Sequence, residues 1–244
     1  METELLIAKI KDTADICFKT EKPKFLGFLS AEQAVLAQKN LEKTNVRFSL
    51  FGGFESAERV MLGCFPDWQT AEEFPIKAIT FTFRKTDKLS HRDFLGSILG
   101  LGLKREAIGD ILIEEGRAVV FCLEEIADFI LNQLTKVGRT GVKLKEGFTE
   151  PLPLRDNLLE FRDTIASNRL DCVVSALCKT SRASALIKIN EGIVSVNSVP
   201  CEKPTKSVFD GDIIAVRGYG KFIIESVSGI TKKQRIILKY KKYV

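Results

Sequence analysis

Four residues past the middle of the chain, Glu150-Pro151-Leu152-Pro153, set the strongest limit on its architecture. Proline lacks an amide donor, fixes its own φ and pushes the residue before it out of the helical region. Neither a helix nor the interior of a sheet can run through two prolines spaced this way. The 244 residues are long enough for two or three small domains, and we place a joint at this string. The charges divide at nearly the same place. Residues 168–244 carry ten Lys and four Arg against three Asp and three Glu, whereas residues 1–167 hold three more acidic than basic side chains. We expect a connector over 151–167, with Leu154 to Ser167 as a short helix, and a basic domain over 168–244. A basic module joined to a near-neutral body suits phosphate recognition, because neutralised phosphates release counterions. A solubilising surface has the same composition, so charge alone leaves both readings open.

Other classes fall away on simple grounds. No run of 18 apolar residues occurs, so membrane insertion is not expected. Glu2 and Glu4 precede Leu5, Leu6 and Ile7, the wrong charge order for a signal or transit peptide, which points to the cytoplasm. Cys17, Cys64, Cys122, Cys172, Cys178 and Cys201 lie far apart, mostly inside apolar runs. They read as reduced core residues, not as disulfides or zinc ligands. His91 is the single histidine, so a Ser-His-Asp or Cys-His site would depend on one imidazole. No catalytic residue, metal or cofactor is expected.

The local patterns predict an α+β chain in which residues 1–72 form a helical and hairpin part. Leu6, Ile10, Ala14 and Phe18 recur at helical spacing before the breaker Lys22-Pro23. Ser30 and Gln33 form a capping box ahead of a helix over Ala31 to Glu42. Val46 to Phe51 and Arg59 to Phe65 read as a hairpin around Gly52-Gly53. Across 73–150 the order is strand (Ile76 to Phe83), helix (His91 to Leu101), two strands (Asp110 to Glu114, Ala118 to Leu123), helix (Glu124 to Leu134) and strand (Val142 to Phe148). A βαββαβ order folds most simply as a split βαβ sandwich, the architecture of ferredoxin-like domains and of many RNA-recognition modules. Phe81 and Phe83 share one strand face, as stacking aromatics would, but 116–121 lacks the full RNA-recognition signature, so they read as core. Gly100-Leu101-Gly102 follows a helix, not a strand, and reads as a helix stop, not a dinucleotide loop.

In the basic third, Leu170, Val173, Val174 and Leu177 form one apolar helix face. Ser181 caps a second helix, Arg182 to Glu191, on which Ala183, Leu186 and Ile187 read as the apolar stripe. Arg182 and Lys188 are then left to face a ligand. The series Arg169-Leu170-Asp171, Ser181-Arg182, Ile187, Gly192, Val194-x-Val196-Asn197, Gly211-Asp212 and Arg217-Gly218-x-Gly220 resembles the S-four RNA-binding domain, named for a small-subunit ribosomal protein. Family examples often carry Gly where this chain has Ser198, a departure that touches the turn and not the basic face. That resemblance implies an RNA face made of Arg169, Ser181, Arg182, Ser184 and Lys188, extended by Asn197, Lys203, Lys206, Arg217 and Lys221. Arg169 could instead pair with Asp171.

Upstream, Phe51-Gly52-Gly53-Phe54 with Ala57-Glu58-Arg59, His91-Arg92-Asp93-Phe94-Leu95-Gly96, Gly100-x-Gly102-x-Lys104-Arg105 and Gly109-Asp110-Ile111-Leu112 resemble the bacterial YlmH family. The resemblance implies an RNA-binding protein with an S-four domain. It also implies a link by gene neighbourhood to cell division, and kinship with small S-four proteins that act on stalled large ribosomal subunits. His91, Arg92, Lys104 and Arg105 form a possible second patch, for phosphate or for a protein partner. Arg169-Leu170-Asp171 also matches the catalytic string of pseudouridine synthases, but the Thr-x-Gly-Leu continuation of those enzymes is missing. The expectation is a non-catalytic, ribosome-associated adaptor for structured ribosomal or transfer RNA; its rivals are an RNA-modifying enzyme and a division-linked protein scaffold.

Overall fold

The computed structural model describes residues 2–42, 44–153, 158–231 and 234–243. They fall into two units, Met1–Arg155 and Asp156–Val244.

The first unit begins with α1 (Glu2–Thr20), β1 (Lys24–Leu29), α2 (Ala31–Leu41), β2 (Arg47–Phe51) and β3 (Val60–Phe65). The capping box forms as expected: the Ser30 hydroxyl accepts from the Gln33 amide and the Gln33 side chain accepts from the Ser30 amide. β2 and β3 pair antiparallel, Arg47 opposite Phe65, and β1 adds to the far edge of β3. α1 buries Ile10, Ala14 and Cys17 with Ala37 and Leu41 of α2 against Leu29, Leu62 and Cys64. Phe18, expected on this stripe, is instead 76% exposed. β1 was not expected. Leu26 and Leu29 face the helices while Phe25 and Phe28 face the opposite side, so the strand is apolar on both faces and shows no alternation.

Next come β4 (Ile76–Thr82), α3 (His91–Leu99), β5 (Ile108–Glu114), β6 (Arg117–Leu123), α4 (Glu124–Gln133), the two-residue strands β7 (Lys136–Val137) and β8 (Thr140–Gly141), and β9 (Lys143–Glu146). The sheet order is β5-β6-β4-β9, with every neighbouring pair antiparallel. Two parallel β-α-β crossovers thus interleave, which matches the element order read from the sequence. One sheet face, with Ile79, Phe81, Val120 and Cys122, packs on Phe94 and Ile98 of α3 and Ala127 and Ile130 of α4. The other face, with Ala78, Leu112, Val119 and Phe121, meets Phe28 and Met61 of the three-stranded sheet. The Phe54 ring stacks on Phe121 with centroids 4.9 Å apart. Each fully buried Phe contributes about 1.5 to 3 kcal/mol, so residues 1–72 and 73–150 are held by a common core. The sheet face that RNA-recognition modules offer to bases is covered here.

A buried carboxylate ties the same two parts together. Asp110, 3% exposed, accepts from the amides of Glu58 (2.7 Å) and Arg59 (3.2 Å). The Arg59 guanidinium donates to the carbonyls of Ile108 and Phe28. Burial, together with the charge of Arg105, pushes Arg59 down to about 10.

The second unit holds β10 (Leu158–Ile165), α5 (Leu170–Leu177), α6 (Arg182–Asn190), β11 (Val194–Val196), β12 (Val199–Pro200), β13 (Ile213–Val216), β14 (Gly220–Ile230) and β15 (Ile236–Tyr243). Its sheet runs β10-β15-β14-β13-β11-β12. Val173, Val174 and Leu177 of α5 and Ala185 and Ile189 of α6 share a core with Phe222, Ile224, Leu238 and Tyr240. The helix expected over 154–167 is not present in its described part. Residues 158–165 are a strand paired along their whole length with β15, Leu158 opposite Tyr243 and Ile165 opposite Ile236, while residues 154–157 lie outside the described residues. The partner strand lies some seventy residues away, where a local pattern cannot reveal it.

The six cysteines are buried and unbonded. Burial pushes Cys64 and Cys122 up to about 12, which leaves them protonated and inert at neutral pH.

Candidate nucleic-acid interface

Everything at the start of α5 turns on one buried carboxylate. Asp171, 1% exposed, is gripped by Arg169 (3.1 Å) and Arg182 (2.7 Å), and also accepts from the Cys172 amide. The two arginine side chains remain 40% and 54% exposed. Burial raises the proton affinity of Asp171, but the hydrogen bonds from Arg169 and Arg182 outweigh it and hold the carboxyl below the usual carboxylate range. Arg182 is raised by the same hydrogen bond. Two cations on one anion leave a net charge of +1, with both guanidinium groups fixed in direction and half open to solvent.

Arg182 points this way because α6 is rotated from the expected setting. Ala185 and Ile189 are buried, whereas Ile187 is 58% exposed. Arg182 lies one turn before Ala185, so its side chain leaves from the edge of the buried face and reaches Asp171. Lys188 sits one turn after Ala185. Its Nζ lies 4.6 Å over the Tyr219 ring and 3.4 Å from Ser184 Oγ. Thus Arg182 is not a free cation, as expected from sequence, but half of a clamp, while Lys188 is set against an aromatic ring.

Ser181 acts as the N-cap, its hydroxyl accepting from the Ser184 amide at 3.1 Å. Lys203 and Lys206 are exposed on a loop fixed to α5, where the amides of Leu170 and Asp171 donate to the carbonyls of Lys206 and Pro204. That loop brings both lysines to the Arg169 end of the surface. Arg217 is exposed in the turn that also carries Tyr219, beside Lys188. The surface therefore has Arg169, Arg182, Lys203 and Lys206 at one end and Lys188, Arg217 and Tyr219 at the other. About 9 Å of helix separates Arg182 from Lys188. An open cleft of about 260 Å³ beside Arg182 is also lined by Ser175 and Arg235; Arg235 did not stand out in the sequence because nothing local ties it to α5.

Two expected residues are placed elsewhere. Asn197, at φ +52°, donates through its side-chain amide to Asp212 and accepts from the Ile213 amide, each at 2.8 Å. Its polar atoms are thereby committed to the turn. Lys221 precedes the inward-facing Phe222 and so lies on the opposite sheet face, with Nζ 5.0 Å from the Tyr243 ring centroid.

The second patch is also divided. His91 and Arg92 are exposed at the start of α3 and Lys104 lies beyond its end, about 13 Å away by helix length. Ser90 caps the helix, in a reciprocal box with Asp93. Arg105 turns inward to the carbonyls of Ile108 and Gly109, and burial lowers its pKa.

The depressed pKa of Asp171 gives a signed prediction. A carboxylate with a lower pKa in the folded state stabilises above its unfolded value, about 3.9, and loses that contribution as pH falls through the folded value. Urea unfolding of the full chain followed from pH 7 to pH 3 should weaken below about pH 4. Asp171→Asn should flatten part of that limb; an unchanged limb would remove Asp171 from the acid response.

Comparison with known proteins adds an independent line. Residues 70–150 match the family model described as "Putative RNA-binding domain in YlmH". The chain is 32% identical over 216 residues to the ribosome-associated protein quality control protein P2 of Bacillus subtilis (strain 168), covering 87% of this chain and 84% of that protein. It also resembles the solved structure of the cell division protein ylmH from Streptococcus pneumoniae, with a TM-score of 0.55 and 26% identity, over 62% of this chain and 95% of that one.

Proposed function

The chain belongs to the YlmH family, and on that premise we propose that it is a non-catalytic, cytoplasmic RNA-binding protein that associates with the ribosome in translation quality control. Its C-terminal unit serves as an S-four RNA-binding domain for structured ribosomal or transfer RNA. The observation that carries this reading is the pair of half-exposed arginines fixed on Asp171 beside Lys203 and Lys206. Guanidinium groups held in direction match phosphate oxygens bidentately and lose little freedom on binding. Arg169, Arg182, Lys188, Lys203, Lys206 and Arg217 form the phosphate-facing surface, Ser181 and Ser184 shape the start of α6 within it, and no base-reading group is assigned.

With four to six phosphates neutralised, log affinity for a labelled tRNA transcript should fall against log salt with a slope of about −0.7 to −0.9 per phosphate. A slope near zero would remove the electrostatic basis of the proposal. Arg182→Ala should weaken binding by about 1 to 3 kcal/mol, while Arg169 continues to hold Asp171 and the fold. Unchanged affinity would take Arg182 out of the surface.

A further inference from the structure

We propose a second RNA-binding surface, a cationic strip on the β7–β9 edge of the first unit made of Lys136, Arg139, Lys143 and Lys145; it rests on the RNA-binding reading above and assigns that activity to a further site.

Strand alternation builds the strip. Val137, Val142 and Leu144 turn inward to the core shared with α3 and α4. Successive side chains on extended backbone point to opposite sides, so Lys143 and Lys145 face outward together. They lie opposite Thr82 and Thr80 of β4. Lys136 pairs with Gly141, on the same outward side, and Arg139 occupies the tip of the β7–β8 ribbon. All four cations are exposed. The ribbon is fixed to the helix layer, because the Gly138 amide donates to Ser97 Oγ at 2.9 Å.

The charge of the strip is uncompensated. Glu146 turns to the Leu144 side and is engaged by Lys77 at 2.8 Å. Among the described residues of 73–150, the other ion pairs join Lys77 to Glu124, Arg84 to Asp87 and Arg117 to Glu114. Among the described residues, none of the four strip cations has a carboxylate partner. Four like charges within a dozen residues repel one another, which is tolerable where an anionic partner gathers them. Gly138 and Gly141 lie in the same ribbon, and a Cβ at either would meet nothing, so a phosphate backbone can come close to the main chain. Phe28, Met61 and Phe54 cover the central strands of the sheet face turned away from the helices, the base-stacking route, and leave its β9 edge to the lysines. Contact with RNA in this domain therefore falls to its charged edge, by phosphate neutralisation and not by stacking.

The test uses the full chain, a labelled tRNA transcript and purified large ribosomal subunits at two salt concentrations. The strip variant K136Q/R139Q/K143Q/K145Q should bind the transcript about 10- to 100-fold more weakly, with a salt slope shallower by roughly 3. The charge-conserving variant K136R/R139K/K143R/K145R should bind like the wild type. A parallel variant of the C-terminal surface, K203Q/K206Q/R217Q, separates the two readings. If the strip variant binds normally and the C-terminal variant does not, the strip is overturned and the S-four reading stands. If the C-terminal variant binds normally and the strip variant does not, the reverse holds. Equal loss in the charge-conserving variant would show a damaged ribbon instead of lost charge and overturn the inference. Normal RNA affinity with weakened binding to large subunits would give the strip to a protein partner and also overturn it. No binding of either probe by the wild type would overturn both readings.

Discussion

Asp110→Ala is expected to lower the stability of the full chain by about 3 to 5 kcal/mol, the range for breaking a buried charge cluster by removing one partner. The carboxylate accepts two backbone amides, from Glu58 and Arg59, where the three-stranded sheet meets β5. Without it both amides lose their buried acceptor, and Arg59 and Arg105 face each other with only the weaker of their two shared counter-charges, Glu106. Arg59 already has its pKa lowered to about 10 by burial and by Arg105, so removing the anion worsens a cation that is poorly solvated. Asp110→Asn keeps the shape and one acceptor oxygen and should recover part of the loss. Urea unfolding measures both; a loss below about 1 kcal/mol for the alanine variant would mean that water replaces the carboxylate.

The second large effect is on the C-terminal clamp. Arg169→Ala combined with Arg182→Ala leaves Asp171 buried with the Cys172 amide as its one hydrogen-bond donor among the described residues. An uncompensated buried carboxylate costs about 3 to 5 kcal/mol. The same double variant should abolish most RNA affinity, so stability and binding fall together and cannot be separated by it alone. Replacing all three residues separates them. Asp171→Leu with Arg169→Met and Arg182→Met removes the charge cluster while keeping apolar volume, an exchange that is often neutral or stabilising for buried ionic groups. Stability should return and RNA affinity should not. Recovery of both would show that the arginines act only on the fold.

Much of the architecture was legible because its signals are local. The Ser30 capping box, the βαββαβ order and the buried face of α5 depend on residues within a few positions of one another. The parts that were not legible depend on partners distant in sequence. β1 is apolar on both faces because two different layers cover it, and β10 is a strand because β15 is its partner. The candidate surface follows the same division. Its cations stood out in composition, but Ala183, Ala185, Leu186, Ile187 and Ile189 are spread around α6 instead of forming one stripe, so its rotation and the capture of Arg182 by Asp171 could not be read from spacing. Asn197 and Arg105 looked like surface ligands and instead satisfy nearby backbone and side-chain groups. The YlmH motifs at Glu58-Arg59 and Gly109-Asp110 mark a joint between layers; Gly109 has no room for a Cβ, which would lie 2.6 Å from the Phe28 ring.

The pairing of β10 with β15 also dictates a sequence of events during synthesis. β15 lies between β10 and β14 in the sheet, so the strand that opens the C-terminal unit has no hydrogen-bonded neighbour until the one that closes it has been made. Helices α5 and α6 and the paired strands β11 to β14 can form early from local contacts, but β10 waits for β15. An open strand edge is a template for pairing with other chains. A nascent chain halted before β15 would therefore carry its basic helices on an unfinished support, liable to aggregate and unable to hold them in register.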